Sequence, residues 1–456
     1  GGALVLSQIG ATGPQILNRI FGWSPAISDI RRGLRGSGSS KSVSQLSLIL
    51  LLTLSIVTLA AVQGHTGTLV DERTTNAQNG ADLKLQFDTT LTEEEARSRV
   101  IQSIEVVDDN DISGINSMTS VANIFTQTKE DSIPLLTWVV FDGHEDSLIW
   151  DRQAIPGSDI GDFAASLAGS GFTAGDLAED SLDDPIVGAS LTLEYTTFVI
   201  NQFGIPEATG TTEATVSYTG RHRWVPGFSA AETNSVILIG EGTYRELVGN
   251  ATADAYRSSM WMFDLCDESQ QGCQDALETL GADLRSRQGV VLASDWSTAH
   301  EQNERNGGLI FGTPGLLSMM FVVAALASVS SAFVFLSLVL SQRKRELAIL
   351  QAIGASPNQV VRLVLFEIMS ILLVSMLLGV TLGLAVAESF NGFFGVFGFI
   401  FQLFLGQSAP IDRDLIWPWL EIIAVNGLVL AAVVVSLLFT TRRALDSDLA
   451  TVLKGE

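Results

Sequence analysis

The stretch Ser341–Glu367, SQRKRELAILQAIGASPNQVVRLVLFE, lies between two long apolar runs, yet it is charged, amphipathic and broken at Gly354-Ala355-Ser356-Pro357. Leu347 and Leu350 are three apart and Ile349 and Ile353 four apart, both spacings of a helix face. Gly354 is a natural helix stop, because glycine enters the left-handed conformation that ends many helices. Ser356-Pro357 then restarts a helix, with a cap followed by proline at the first helical position. The residues describe a helix, a tight corner and a second helix that feeds the next apolar run.

What surrounds this corner is set by how apolar and acidic residues are distributed. The 456 residues are 46% hydrophobic with a formal charge of −24. Residues 66–306 hold 40 of the 50 acids but 13 of the 26 Lys and Arg, a net of −27, and the remainder is +3. One acidic domain is therefore inserted into a slightly basic, apolar portion. Lysine occurs only at Lys41, Lys84, Lys129, Lys344 and Lys454. Acid-rich, lysine-poor surfaces stay hydrated at very high salt, which points to a halophile. Binding of cations or of a basic partner is the other reading, although no acidic cluster has the loop spacing of a calcium site.

A helix needs about 20 apolar residues to cross a bilayer. VSQLSLILLLTLSIVTLAAV (43–62), LLSMMFVVAALASVSSAFVFLSLVL (316–340), IMSILLVSMLLGVTLGLAVA (368–387) and IIAVNGLVLAAVVVSLLF (422–439) meet that length or come close to it. Lipid tolerates no unpaired backbone, so these are expected to be helices. Arg31, Arg32, Arg35 and Lys41 precede the first run, Arg343, Lys344 and Arg345 follow the second, and Arg442 and Arg443 follow the fourth. Four alternating spans place all three clusters on one side, which the positive-inside rule makes cytoplasmic.

The domain plan that follows is a cytoplasmic N-terminal segment 1–42, a span 43–62, an acidic α/β outer domain 63–310 and a span 316–340. Next come a cytoplasmic corner 341–367, a span 368–387, an outer loop 388–418, a span 420–439 and a cytoplasmic tail 440–456. The fold class expected is an α-helical membrane domain of four transmembrane helices with a large inserted α/β extracytoplasmic domain. The opening GGALVL has neither the length of a span nor the flanks of a signal peptide, and reads as the cut end of something longer. SPAISDIRRGLRG (24–36) is either a short helix on the inner membrane surface or a plain linker. FFGVFGFIFQLFL (393–405) is apolar but too short to cross, and is expected in the outer interface.

In the outer domain, ADLKLQFDTT, IPLLTWVVF, LTLEYTTFVI, EATVSYTG, SVILIGE and VVLASDW read as strands, and TEEEARSRVIQSI and SQQGCQDALETLGADLRSRQG as helices. Cys266 and Cys273 are the only cysteines, seven apart and outside the cytoplasm, where a disulfide closing a small loop is expected. The alternative, a metal site, would need further ligands. His65, His144, His222 and His300 show no metal spacing. Asn250-Ala251-Thr252 is a glycosylation sequon, a pattern that chance supplies freely. No phosphate-binding loop, nucleophile elbow or His-Glu-x-x-His is present, and Asp142, His144, Glu145 and Asp146 in FDGHED read as a solvated loop. Any work this chain does draws its energy from another chain.

RKRELAILQAIGASPNQVVRLVLFE resembles the signature of the FtsX/MacB-type ABC transporter permeases: a basic cluster, Arg-Glu, AILQAIGAS, and a glutamate about a dozen residues on. The tail TTRRALDSDLATVLKGE is similar to the usual ending of that family, with Asp448-Leu449 where Asp-Pro is common. The resemblance covers about residues 24–456 and is strongest over 310–456; in the outer domain it rests on placement and on SVILIGEGTYRELVG (235–249). It implies a permease without an ATPase of its own, paired with a cytoplasmic ABC ATP-binding subunit that holds ATP and Mg. No cofactor and no nucleic acid is expected on this chain. Arg345, Glu346, Gly354, Ala355 and Ser356 would form the corner touching the ATPase, with Glu367 near the inner boundary and no evident partner for it in Arg362. On the residues alone an ordinary hairpin remains equally open.

Ser375, Gly379, Gly383 and Ala387 recur every four residues down the third run, a small-residue stripe that permits close helix approach. It could join two permease halves, whether a second copy or a homologous half, or pack within one bundle. The expected function is thus the multi-pass permease subunit of an ABC transporter in the cell membrane, in contact with lipid. It would export or extract a lipid, lipoprotein, peptide or drug-like substrate. A membrane-tethered binding or signalling module without transport is the alternative.

Overall fold

A 40-residue helix, α1 (Ser40–Asn79), leads into the acidic domain. The computed structural model describes residues 40–107, 111–141, 144–200, 206–311, 375–393 and 411–445, with single positions at Val322, Val323, Leu326, Ser330, Ile349, Gly354, Ser356, Gln359 and Leu373. The expected span 316–340, most of the corner 341–367, the apolar segment 393–405 and the tail fall almost entirely outside these. Two compact units result: Gly1–Gly67 with Phe311–Phe393 and Asp414–Glu456, and Thr68–Ile310 with Phe394–Arg413. The second unit thus takes in a segment that the domain plan assigns to the outer loop 388–418.

The first helix continues well past position 62, where the apolar run ends. The residues that follow carry no proline, and the last turns bury Thr75, Ala77 and Asn79. Gly80 stops the helix at φ +81°. A side chain there is impossible, because a Cβ would stand 2.3 Å from the Gly227 amide nitrogen.

The rest of the second unit is built from two sheets. Strand β1 (Leu83–Leu91) alternates Leu83, Leu85 and Phe87 inward, as a half-buried strand requires. Helix α2 (Glu93–Val107) follows through a capping box, in which Thr92 N–H donates to Glu95 Oε2 at 2.9 Å and Glu95 N–H to Thr92 Oγ1 at 3.3 Å. β2 (Ser117–Thr119) pairs at the sheet edge, and the chain then leaves to build a barrel.

That barrel comprises β3 (Val121–Thr128), β4 (Pro134–Val140), helix α3 (Ile160–Ala168), β5 (Gly171–Ala174), β6 (Ser190–Ile200), β7 (Pro206–Arg221), β8 (Val236–Gly240) and helix α4 (Glu241–Val248). The strands close in the order β3-β4-β8-β5-β7-β6. β8 is buried on both faces, so its run VILI shows no polar alternation. Ile237 and Ile239 join Phe172, Leu193 and Val216 in one cluster, while Val236 and Leu238 join Trp138, Trp150 and Trp224 in another.

The chain returns in β9 (Ser258–Asp264), helix α5 (Gln271–Ser286) and β10 (Val290–Asp295). The sheet order β10-β1-β9-β2 is antiparallel throughout. With α2 and α5 packed on one face, it is a split β-α-β of the ferredoxin-like kind, interrupted by the barrel after its second strand. Cys266 and Cys273 are bonded, tying the loop after β9 to the first turn of α5. The chain leaves through helix α6 (Trp296–Phe311), capped by Asp295 Oδ1 accepting from Thr298 N–H at 2.7 Å. The other unit adds α7 (Ser375–Phe393) and α8 (Trp419–Leu445).

Several strands were invisible to the sequence reading. β3 (VANIFTQT) and β9 (SSMWMFD) mix polar and apolar residues without clean alternation, and they form because partners on both sides complete their hydrogen bonds. β7 begins at Pro206 rather than at Glu213, because its first residues pair with the second half of β6.

Candidate force-transmission site

Three places join the described helices or break them. The first is the seam between α1 and α7. On α1, Leu51, Leu54, Ser55, Thr58, Ala61 and Val62 are buried, a helical spacing, while Leu52 and Ile56 point outward. Against that face lies the small-residue stripe of α7. Ser375 and Ala387 are fully buried, a Cβ at Gly379 would stand 3.0 Å from the Leu51 carbonyl oxygen, and one at Gly383 would stand 2.7 Å from that of Ser55. Glycine here sets the distance between two helix backbones. Gly379 and Gly383 therefore pack against α1.

The seam is closed by polar ties at one end. Gln63 Nε2 donates to the Ala387 carbonyl at 3.3 Å, and Thr66 Oγ1 accepts from Ile416 N–H at 3.2 Å. His65 Nε2 and a Glu421 carboxylate oxygen of α8 are 2.9 Å apart. Trp417 and Trp419 stack nearby along the chain, centroids 6.4 Å apart. Paired tryptophans with one polar edge suit a membrane–water interface.

The second place is the corner. Gly354 has φ +108°. Two residues on, Ser356 and Gln359 bond reciprocally: Ser356 N–H donates to Gln359 Oε1 at 3.0 Å, and Gln359 N–H reaches Ser356 Oγ at 3.4 Å. This is a capping box with glutamine in the usual glutamate position, two residues after the positive-φ glycine. Arg345, Glu346, Ala355, Arg362 and Glu367 lie outside the described residues.

The third place is where α1 and α6 meet in the α/β unit. Asn303 Nδ2 donates to Thr75 Oγ1 at 3.0 Å and to Gln78 Oε1 at 3.2 Å, and Trp296 Nε1 donates to Asn76 Oδ1 at 2.7 Å. His300 stacks on Trp296 with centroids 4.6 Å apart. These two helices are the domain's links to the apolar runs, and they are fastened to one another.

Asp82 sits at the head of this pair. Its Oδ2 accepts from Leu265 N–H at 2.8 Å and Cys266 N–H at 3.0 Å, and its backbone carbonyl accepts from Trp296 N–H at 2.8 Å. One residue thus joins β1, the disulfide loop and the start of α6. Burial pushes its carboxyl up to about 7, the two amides pull it back, and the Asp264 and Glu268 carboxylates push it further. Asp264, which hydrogen-bonds to it, is also raised, first by burial. His222 is the buried group of the barrel: its Nε2 lies 3.1 Å from the Thr233 carbonyl and its Nδ1 3.0 Å from Thr173 Oγ1. Desolvation lowers its pKa to about 4, so it is neutral at ordinary pH.

The remaining sequence candidates contribute structure or stay at the surface. The Cys266–Cys273 pair is a disulfide, and no cluster of metal-binding side chains occurs among the described residues. Asn250 is exposed at the start of a short helical segment, Asn250–Asp254. Asp142 and the side chains of His144 and Glu145 lie outside the described residues. Asp82 and the α1–α6 ties were missed because their meaning comes from partners remote in the chain; the local signal was only an acid among apolar residues before β1.

Among the described residues, α7 alone is long and apolar enough to cross a membrane, and Trp419–Ala432 of α8 is a shorter apolar helix. Both turn large apolar side chains outward, including Leu377 and Ile423, as lipid contact permits and water does not favour. Comparison with curated proteins gives no match. Residues 318–449 match the family model of the FtsX-like permease C-terminal domain. The chain thus carries a segment similar to that domain over its last third.

Proposed function

We propose that the chain is a membrane permease of the ABC-transporter type that couples ATP hydrolysis by a separate cytoplasmic ATP-binding subunit to motion of its extracytoplasmic α/β domain, exporting or extracting a lipid, lipoprotein, peptide or drug-like substrate. Four helices span the membrane, with the corner 341–367 on the cytoplasmic side and the acidic domain outside. Arg345, Glu346, Gly354, Ala355 and Ser356 meet the ATPase, and ATP and Mg stay in that partner. The observation that carries this reading is the double engagement of α1. Its apolar half is seated on the α7 glycines, and its polar half is bonded to α6 within the α/β unit. A helix held at both ends transmits displacement rather than absorbing it.

Two measurements test the reading. Cysteines at Ser39 and Ser447 should be shielded from an impermeant thiol reagent in intact cells while one at Ser181 reacts; labelling of the first two from outside overturns the orientation. An ATP-binding subunit should co-purify with the permease, and its hydrolysis should respond to reconstitution with the permease.

A further inference from the structure

Residues 411–413, ahead of α8, are bonded into the α/β unit rather than left on its surface. Ile411 packs against the cluster containing Trp138, Trp150 and Trp224. Asp412 N–H donates to Gln153 Oε1 at 2.8 Å, and Gln153 Nε2 donates back to the Asp412 carbonyl at 3.1 Å. One side-chain amide therefore reads both main-chain groups of one residue, as a neighbouring strand would. The Asp412 carboxylate is gripped by the Arg223 guanidinium through two nitrogens, at 2.6 and 3.3 Å.

The same few residues lead back to α1. Gln153 belongs to a turn set by Asp151, whose Oδ1 accepts from Gln153 N–H at 2.7 Å. Asp151 is in turn paired with Arg73 of α1 at 2.9 Å, with both side chains largely buried. One residue beyond Asp412, the half-buried Arg413 interacts electrostatically with Asp71 of α1, on whose carboxyl Glu304 of α6 also acts. A ring results: α1 to Asp151, Gln153 to Asp412, and Arg413 back to α1. A loop that only needed to reach the next helix would leave its backbone to water.

We propose that Ile411-Asp412-Arg413 is a coupling strap, through which displacement of the α7–α8 connection is handed to the α/β domain, with Asp412 and Gln153 as its positioning residues. The inference rests on the coupling function proposed above. Gln153 bonds the strap's main chain, so it grips it whatever the neighbouring side chains do. Arg223 fixes its register through the carboxylate. The strap makes a second route between the family-matched segment and the outer domain, beside the α1–α6 pair.

The test uses the full-length permease with its ATP-binding subunit in lipid nanodiscs, carrying spin labels at exposed Ser181 and Ser389. The wild type should show an ATP-dependent change in the distance between the labels. Gln153→Ala and Asp412→Ala should lose that change while co-purification, ATP hydrolysis and thermal midpoint stay at the wild-type level. Asp412→Asn, which keeps a side-chain oxygen for the Arg223 guanidinium, should weaken the change less. The swap Arg223→Asp with Asp412→Arg should restore what Arg223→Asp alone removes. Wild-type distance changes in both alanine variants, or a loss that the swap does not repair, overturn the strap and leave the coupling function standing. Failure of an ATP-binding subunit to co-purify with the wild type, or a wild type whose label distance ATP leaves unchanged, overturns both.

Discussion

Gly383 of α7 meets the backbone of Ser55 on α1: a Cβ built on it would stand 2.7 Å from the Ser55 carbonyl oxygen and 2.7 Å from Thr58 Cβ. Neither is the movable end of a long side chain, so a substitution must separate the helices. Gly383→Val should destabilise the protein in detergent by about 1–3 kcal/mol. Gly427→Val on α8, where a Cβ meets nothing within 4 Å, should be close to neutral. Equal unfolding midpoints for the two variants would show that the seam does not hold the helices.

The corner tests conformation rather than space. A Cβ at Gly354 would meet nothing within 4 Å, yet φ is +108°. Alanine should therefore cost about 1 kcal/mol through strain and reduce coupling only partly. Proline cannot reach that φ, so Gly354→Pro should abolish ATPase coupling while the protein still inserts, because the apolar spans supply insertion energy. Arg345→Glu should act in the same direction by removing a charge from the contact. Coupling in both variants equal to that of a Leu317→Ala control would make the corner an ordinary hairpin.

Asp82 and His222 bend the pH profile of stability in opposite directions. The Asp82 carboxyl is raised from 3.8 to about 7, so its contribution is complete below pH 4 and is lost as pH rises through 7. His222 is lowered from 6.5 to about 4, so its contribution is complete above pH 6.5 and is lost as pH falls toward 4. Asp82→Asn keeps an oxygen for the Leu265 and Cys266 amides but cannot ionise. It should flatten the decline between pH 4 and 7 and gain on the order of 2 kcal/mol over wild type at pH 8. Parallel unfolding curves for the two proteins across that range would refute the assignment.

Salt should matter to the acidic domain. With a net charge of −27 over residues 66–306, self-repulsion is opposed mainly by screening. Raising KCl from about 0.1 to about 2 M shortens the screening length from about 10 Å to a few ångströms and should raise the unfolding midpoint well beyond what a near-neutral protein of this size shows. A midpoint independent of salt would remove the halophilic reading.

What the sequence determined by itself is what depends on residues near one another in the chain. The apolar runs, the segregation of charge, the Gly354-Ala355-Ser356-Pro357 break and the seven-residue spacing of Cys266 and Cys273 are all local, because helix periodicity, caps and short loop closures are set within a few residues. The family resemblance rests on the same kind of signal, a contiguous motif. The tertiary structure alone decided which strands are neighbours. Leu83 pairs with both Asp295 and Phe263, so one sheet is assembled around a barrel inserted between its halves. It also decided that the small-residue stripe faces α1, that Asp82 accepts two amides from the disulfide loop, and that Gln153 holds Asp412. Those relations join residues separated by well over a hundred positions, and the energy of such contacts depends on distances that no local pattern encodes.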